Sequence, residues 1–329
     1  MSTTEKFTRL MTGVVLGGAL ALSATTASVA KELKIGTIAP GSHVYATVPE
    51  NTVNAVGEST CGKFSATVFP SGQLGNEAAM VQQLQTGALD IGVITVAELS
   101  NHVPELAALF APYLVGDLKE AHALLTSPVG EQLMEGLTAK GVVPLGYTLA
   151  GMRVMASRTE IDGVDNLKGA KMRITPFEPL KDFYGILEVA PTPMPLTAVY
   201  DAMANGQVDA VDTDIQGLWL LKFYEHADTV LLTKHSMFPA VFLVSARTWA
   251  GMSEEEQKMF REEAKAQMQS AVELYMAQDA DYLQQMRDQD VQFIDVPREA
   301  LAEQIAAWDE IWNEKAPVLK ELRAQAEAM

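Results

Sequence analysis

From Ser253 to Gln289 the chain reads SEEEQKMFREEAKAQMQSAVELYMAQDADYLQQMRDQ, more than thirty residues that keep helical periodicity. The run opens with a capping box, in which Ser253 and Glu256 each satisfy a backbone donor at the other's position. Helices in globular proteins average about 10–14 residues. One this long exceeds what a compact lobe needs, so it is expected to brace two of them. The length agrees: 329 residues are too many for one ordinary core.

The rest of the chain alternates strands with helices, the pattern of an α/β protein. ELKIGTIAP and FSATVFP read as the first two strands. In SGQLGNEAAMVQQLQTGALDIGVI, Asn76 caps a helix, Gly87 stops it, and a buried strand follows. PLTAVYDAMANGQVDAVDT repeats the plan, with Thr197 as cap and Gly206 as stop. Gly87-Ala88-Leu89-Asp90 thereby aligns with Gly206-Gln207-Val208-Asp209, as two lobes of similar architecture require. Between the two units, GVVPLGYTLAGMRVMAS is a pair of extended segments suited to crossing from one lobe to the other, and HSMFPAVFLVSARTW suits a return. The chain closes with two helices broken near Pro317.

At the amino end, Lys6 and Arg9 precede the apolar run LMTGVVLGGALAL and the small residues SATTASVA. That is a secretory signal over residues 1–30, cut after Ala30. A membrane anchor needs about 20 apolar residues, and no later segment approaches that, so an exported, soluble protein is expected. Formal charge is −18, and removing Lys6, Arg9 and Glu5 with the signal leaves the remainder near −19. Nucleic acid and anionic lipid are excluded as partners on that ground. The single cysteine, Cys61, makes no internal disulfide and is expected as a buried or half-buried thiol.

The five histidines show no i,i+4 pair, and CxxC, HExxH, GxGxxG, GxxxxGK[ST] and GxSxG are all missing. No metal and no cofactor are expected. What stands out instead is two arginines set in apolar strands: Arg173 in NLKGAKMRIT, and Arg153 in AGMRVMAS. Alternation places Met172 and Ile174 on one face and Arg173 on the other. Ligands of open α/β sheets gather beyond the carboxyl ends of strands, and a guanidinium holds a carboxylate through two parallel N–H···O bonds. The competing reading pairs each arginine with a carboxylate of its own protein.

The segments FPSGQLGNEAAMVQQLQTGALDIGV, LFAPYLV, GMR, NLKGAKMRI, PTPMPLTAVYDAMANGQVDAVDT and FYEHAD, in this order and spacing, resemble the solute-binding subunits of tripartite ATP-independent periplasmic (TRAP) transporters, the DctP-like family. The resemblance covers nearly all of the chain after the signal. It implies a two-lobed periplasmic binding fold with hinge strands and a long helix (about 253–289) spanning both lobes. Lobe I would comprise 31–150 plus 239–278, and lobe II 151–238 plus 279–329. It also implies that the cleft shuts on an organic acid anion, without turnover, and delivers it to the membrane permease subunits of a TRAP transporter, the binding protein acting as a monomer in the periplasm.

By the same resemblance, Arg173 clamps the substrate carboxylate, Arg153 is a second pocket arginine, and Glu77 lies on the ligand side of the first lobe. Asp212 and Thr213 stand where many members carry a glutamate and an asparagine that touches ligand, a departure that puts the second anchor in doubt. Phe177, Glu178 and Trp219 become candidate walls, and Thr95, Tyr45 and His43 follow strand ends that face the cleft. Asp212 and Glu178 in the pocket would disfavour a second carboxylate, pointing to a monocarboxylate. The alternatives are a periplasmic sensor partner for the same ligand class and an exported α/β enzyme acting on a small carboxylate.

Overall fold

The computed structural model describes residues 30–329; the expected signal lies outside them apart from Ala30. The strands, in chain order, are β1 Lys31–Thr37, β2 Phe64–Phe69, β3 Ile91–Thr95, β4 Val142–Ala150, β5 Val154–Ser157 and β6 Lys171–Ile174. β7 Ala190–Pro193, β8 Ala210–Thr213, β9 Thr229–Leu232, β10 Phe238–Ser245 and β11 Gln292–Asp295 complete them. They form two sheets, ordered β2-β1-β3-β10-β4 and β11-β9-β5-β8-β6-β7. Each is the core of one lobe of a two-lobed α/β fold. No helix among the described residues is long and apolar enough to cross a membrane.

The lobes are joined by two short crossings and the long helix. The chain leaves the first sheet at Ala150 and enters the second at Val154, then leaves the second at Leu232 and re-enters the first at Phe238. The two crossings are hydrogen-bonded to each other, Arg153 N to Ser236 O at 2.8 Å and His235 N to Arg153 O at 3.2 Å. They are therefore one ribbon and move together. Gly151 sits in that ribbon, where a Cβ would lie 3.0 Å from the Asp214 Cβ and 3.1 Å from the Tyr275 ring. Only a residue without a side chain lets the crossing pass so close to the long helix.

That helix spans Glu254–Arg287, and both halves of its capping box are formed. At about 1.5 Å per residue it is roughly 50 Å long. It packs on Val44–Ser59 and β4 in the first lobe and on Ile215–Leu220 in the second. The terminal helix Leu319–Glu327 lies against Leu118–Leu125, and Arg323 donates to Pro112 O at 2.9 Å.

The two helix–glycine–strand units match at the glycine and at the aspartate that follows it. Gly87 and Gly206 both take left-handed φ, 78° and 68°, which glycine adopts without steric cost. Asp90 accepts from Lys34 N on the neighbouring β1 at 3.0 Å, and Asp209 accepts from Lys171 N on β6 at 2.8 Å. Each aspartate thus pins its own strand to the parallel strand beside it.

Two local expectations are corrected. Thr197 does not cap the second unit's helix: that helix, Val199–Ala204, begins after a 3-10 turn and has no side-chain cap. Cys61 is exposed, on a turn with φ of 55°, because the helix before it has already ended. Both faces of β6 are covered, so Met172, Arg173 and Ile174 are all buried.

Candidate functional site

The carboxyl ends of parallel strands from both sheets open on one cleft of about 530 Å³. In the first lobe, β1 and β3 run parallel and deliver Ile38, His43 and Thr95. In the second, β6 and β8 run parallel and deliver Thr175, Thr213 and Asp214. The placement follows the general rule for open α/β sheets, applied twice across one gap. Its walls include Ile38, Leu196, Leu220 and Phe238, with polar groups set among them, the composition of a small-molecule site.

Arg173 is 2% exposed and reaches this cleft from β6. Its Nε and one terminal nitrogen donate to Met194 O at 3.2 and 3.0 Å, and the other terminal nitrogen donates to Asp212 O at 3.4 Å. Those bonds engage three of the five N–H groups of a guanidinium, leaving one on each terminal nitrogen. Among the described residues no carboxylate forms a salt bridge with it. Burial, and then the Arg153 charge, push its pKa down to about 9, against the attraction of Asp212. Arg173 is a positioned, desolvated cation without a counter-ion.

Arg153 also borders the cleft, but its charge is met from within. Its Nε donates to Asp212 Oδ1 at 2.7 Å, and a terminal nitrogen donates both to that oxygen and to Asp212 O. The other terminal nitrogen faces Asp214 Oδ2 at 3.4 Å, and the guanidinium lies 4.5 Å from the centre of the Phe238 ring. Asp212 in turn accepts from the Tyr184 hydroxyl at 2.6 Å and lies 3.1 Å from His235 Nε2. Burial opposes ionisation of Asp212, yet Arg153, His235 and Tyr184 together hold its carboxyl well below the usual range. So one arginine follows the internal-pairing reading and the other does not.

In the first lobe, Glu77 opens the helix Glu77–Thr86, capped by Asn76, and accepts from Thr95 N at 2.6 Å and Thr95 Oγ1 at 2.7 Å. Burial nevertheless pushes its carboxyl up to about 7, the Thr95 bonds only partly offsetting it. His43 caps Val44–Ser59 through Nδ1, which accepts from Tyr45 N at 3.1 Å. Burial lowers its pKa to about 4, leaving it neutral. The Tyr45 hydroxyl donates to Phe238 O at 2.9 Å and accepts from Ala150 N at 3.2 Å, so that ring is a fixed wall. Thr213 stands so close to the next helix that a Cβ at Gly217 would lie 2.4 Å from its hydroxyl.

Seven of the sequence candidates, Arg173, Arg153, Thr213, Glu77, Thr95, Tyr45 and His43, therefore line the cleft. Four do not. Asp212 is fully buried behind it, because successive strand residues face opposite ways and Thr213 takes the cleft side. Phe177 packs edge-on against Phe110, centroids 4.5 Å apart, filling core between the lobes. Glu178 is exposed and pairs with Lys315 at 2.8 Å. Trp219 stacks on Tyr224 at 4.7 Å and on Tyr282 of the long helix at 5.9 Å.

Sequence reasoning missed Asp214, Asn76, Glu98, Thr175, Thr197 and Gln216 as lining residues. Asp214 carries the readable signal, a helix cap directly after a strand: its Oδ1 accepts from Gly217 N at 2.8 Å and from the Tyr275 hydroxyl at 2.9 Å.

The family model of bacterial extracellular solute-binding protein, family 7 (DctP), matches residues 35–317. Among curated proteins, the chain is 25% identical over 233 residues to the sialic acid-binding periplasmic protein SiaP of Vibrio cholerae, covering 70% of this chain and 73% of that one. It is 29% identical over 202 residues to the 2,3-diketo-L-gulonate-binding periplasmic protein YiaO of Escherichia coli, covering 61% and 62%. Among solved structures, a TRAP periplasmic solute-binding protein from Bradyrhizobium sp. BTAi1, in complex with D-galacturonate, superposes with a TM-score of 0.83 at 25% identity, covering 91% of this chain and 100% of that one. With the match running through both lobes, the chain belongs to the DctP family of bacterial extracellular solute-binding proteins, the family of the TRAP transporters.

Proposed function

We propose that this protein, exported by its first thirty residues, captures a monocarboxylic sugar acid in the cleft and hands it to a TRAP permease. The observation that carries the reading is Arg173: a buried guanidinium facing a cleft with two N–H groups free and no acid of its own. A carboxylate accepts that pair of donors. Water exclusion strengthens the contact, since unit charges about 4 Å apart attract by roughly 1 kcal/mol in water and about 4 kcal/mol at an effective dielectric of 20.

The remainder of the site selects against a second charge. Glu77, Glu98 and Asp214 all line the cleft, and a dicarboxylate would set its far end against one of them. Hydroxyls suit these acids, which accept from them, and suit Asn76, Thr95 and Thr197, which both donate and accept. The relatives named above bind sialic acid, 2,3-diketo-L-gulonate and galacturonate, all polyhydroxylated acids with one carboxyl group. These walls leave one charge–charge contact, to Arg173, to do the anchoring.

A thermal-shift screen against hexuronates, aldonates and dicarboxylates, on protein stripped of co-purified ligand, tests this. A ligand at a hundredfold excess over Kd adds about 2.7 kcal/mol of stability. A rise in Tm with one or more sugar monoacids and none with four-carbon dicarboxylates is expected. The reverse ranking refutes the assignment.

The raised pKa of Glu77 adds a pH signature. A carboxyl at about 7 is largely neutral at pH 6 and largely ionised at pH 8. Ionisation places a second negative charge beside the bound anion, so affinity should fall severalfold between pH 6 and 8. Titration calorimetry of Glu77→Gln should show a flat profile across that range. A slope that persists in the variant assigns the effect to another group.

A further inference from the structure

The cleft changes charge from one lobe to the other. The second lobe and the crossing that feeds it bring both arginines, Arg173 bare and Arg153 met by Asp212 and Asp214. The lining residues of the first lobe include two acids, Glu77 and Glu98, and neither lysine nor arginine. The imidazole on that side, His43, is kept neutral by burial, with its pKa lowered to about 4. Among the described residues neither glutamate forms a salt bridge.

One residue sets both acids. Thr95, the last of β3, donates through N and Oγ1 to Glu77, and its Oγ1 accepts from Glu98 N at 3.4 Å at the start of the turn Val96–Leu99. The two carboxyls are near enough to feel each other: burial raises Glu77, and the Glu98 charge adds to the rise. Burial raises Glu98 as well, against His102 and Asn101. Both side chains are half-buried, and closure on a ligand takes further water from them. Carboxylates drawn out of water without a counter-charge are costly. A ligand hydroxyl returns a hydrogen bond to them but no charge.

We propose that the acid taken by this cleft carries a basic nitrogen at the end away from its carboxyl group, an ammonium that lies against Glu98 and Glu77 while the carboxylate lies on Arg173. This rests on the sugar-acid reading and narrows it. A sugar acid without nitrogen is held by charge at Arg173 alone, and the ammonium adds a second charge contact on the facing wall. The charges agree. Arg153 and Arg173 balance Asp212 and Asp214, so the carboxylate of a plain acid leaves the closed site negative before either glutamate ionises, and an ammonium restores the balance. The two ligand types therefore respond to pH in opposite directions. Ionisation of Glu77, at about 7, weakens a plain acid and strengthens an aminated one, whose nitrogen stays charged to pH 8 as that of lysine does.

D-Gluconate and 6-amino-6-deoxy-D-gluconate are the probes, alike except for a hydroxyl or an ammonium at the carbon farthest from the carboxyl. Both are titrated calorimetrically into the protein at pH 6 and pH 8. At pH 8 the aminated acid should bind about tenfold more tightly, since a charge-assisted hydrogen bond is roughly twice as strong as a neutral one. The ratio should shrink at pH 6, and in Glu98→Gln at pH 8 it should fall to about threefold or less. Equal affinities for the two probes overturn the inference and leave the sugar-acid reading standing. A preference for the aminated acid that survives undiminished in the double variant Glu77→Gln, Glu98→Gln overturns the assignment to these acids. If neither probe binds and a four-carbon dicarboxylate does, the sugar-acid reading fails and the inference falls with it.

Discussion

Replacing Arg173 by alanine should abolish the ligand response while leaving the fold standing. Truncating one partner of a buried, hydrogen-bonded ion pair costs about 2–5 kcal/mol, a loss of roughly 30- to 5,000-fold in affinity. The cost in stability of the free protein should be much smaller. Arg173 holds no carboxylate of its own, and burial works against its charge, as the pKa lowered to about 9 records. Its removal takes away an uncompensated cation, and the carbonyl of Met194 that it served belongs to a half-buried residue next to Pro195 of the cleft wall. Arg173→Lys should fail almost as badly. It keeps a charge but offers a point donor in place of the planar fork. Isothermal titration with the best ligand of the screen, alongside the Tm of each free variant, separates the outcomes. A variant that binds normally removes Arg173 from the site. One that loses binding only because it no longer folds shows a collapsed Tm.

The contrast between the two arginines marks where the sequence stops being readable. Arg153 and Arg173 look alike in it: each sits in a strand between apolar residues. What separates them is Asp212, fifty-nine positions from one and thirty-nine from the other, which the sheet order delivers to Arg153. Strand pairing at that distance leaves no local trace. The features that were legible rest on local chemistry: the capping box at Ser253, the glycine stops at 87 and 206, and the aspartates three residues beyond them. Thr95 follows from the same reading, because a strand whose start is fixed delivers its last residue to a known edge, whereas Thr213 came only with the family resemblance. Phe177, Glu178 and Trp219 failed for a different reason. Each lies beyond a strand or on a helix near the cleft, and whether such a side chain faces the gap is decided by partners far away in the chain, Phe110 for Phe177, Lys315 for Glu178 and Tyr282 for Trp219.

Asp212 should prove the largest single contributor to stability among the residues around the hinge. Its carboxylate is inaccessible to water and receives Arg153, Tyr184 and His235 together. Asp212→Ala leaves Arg153 with the backbone carbonyl of residue 212 and, as its sole carboxylate, Asp214 at 3.4 Å, and takes from the Tyr184 hydroxyl and His235 Nε2 the acceptor they share. Breaking a buried pair by removing one partner costs about 3–5 kcal/mol. The pH dependence fixes the sign. A carboxyl held below its ordinary value stabilises the fold above the unfolded-state pKa, near 3.8, and loses that contribution as pH falls through the folded-state value. The gap between wild type and variant should therefore be constant from pH 7 to about pH 5 and narrow only in stronger acid. Adding Arg153→Met to Asp212→Ala should restore part of the loss, since an apolar side chain of similar length removes the orphaned charge. Denaturant midpoints of the three variants measure this directly. If the single variant unfolds at the wild-type midpoint, or the second substitution deepens the loss, the ion pair is not what holds the ribbon against the second lobe.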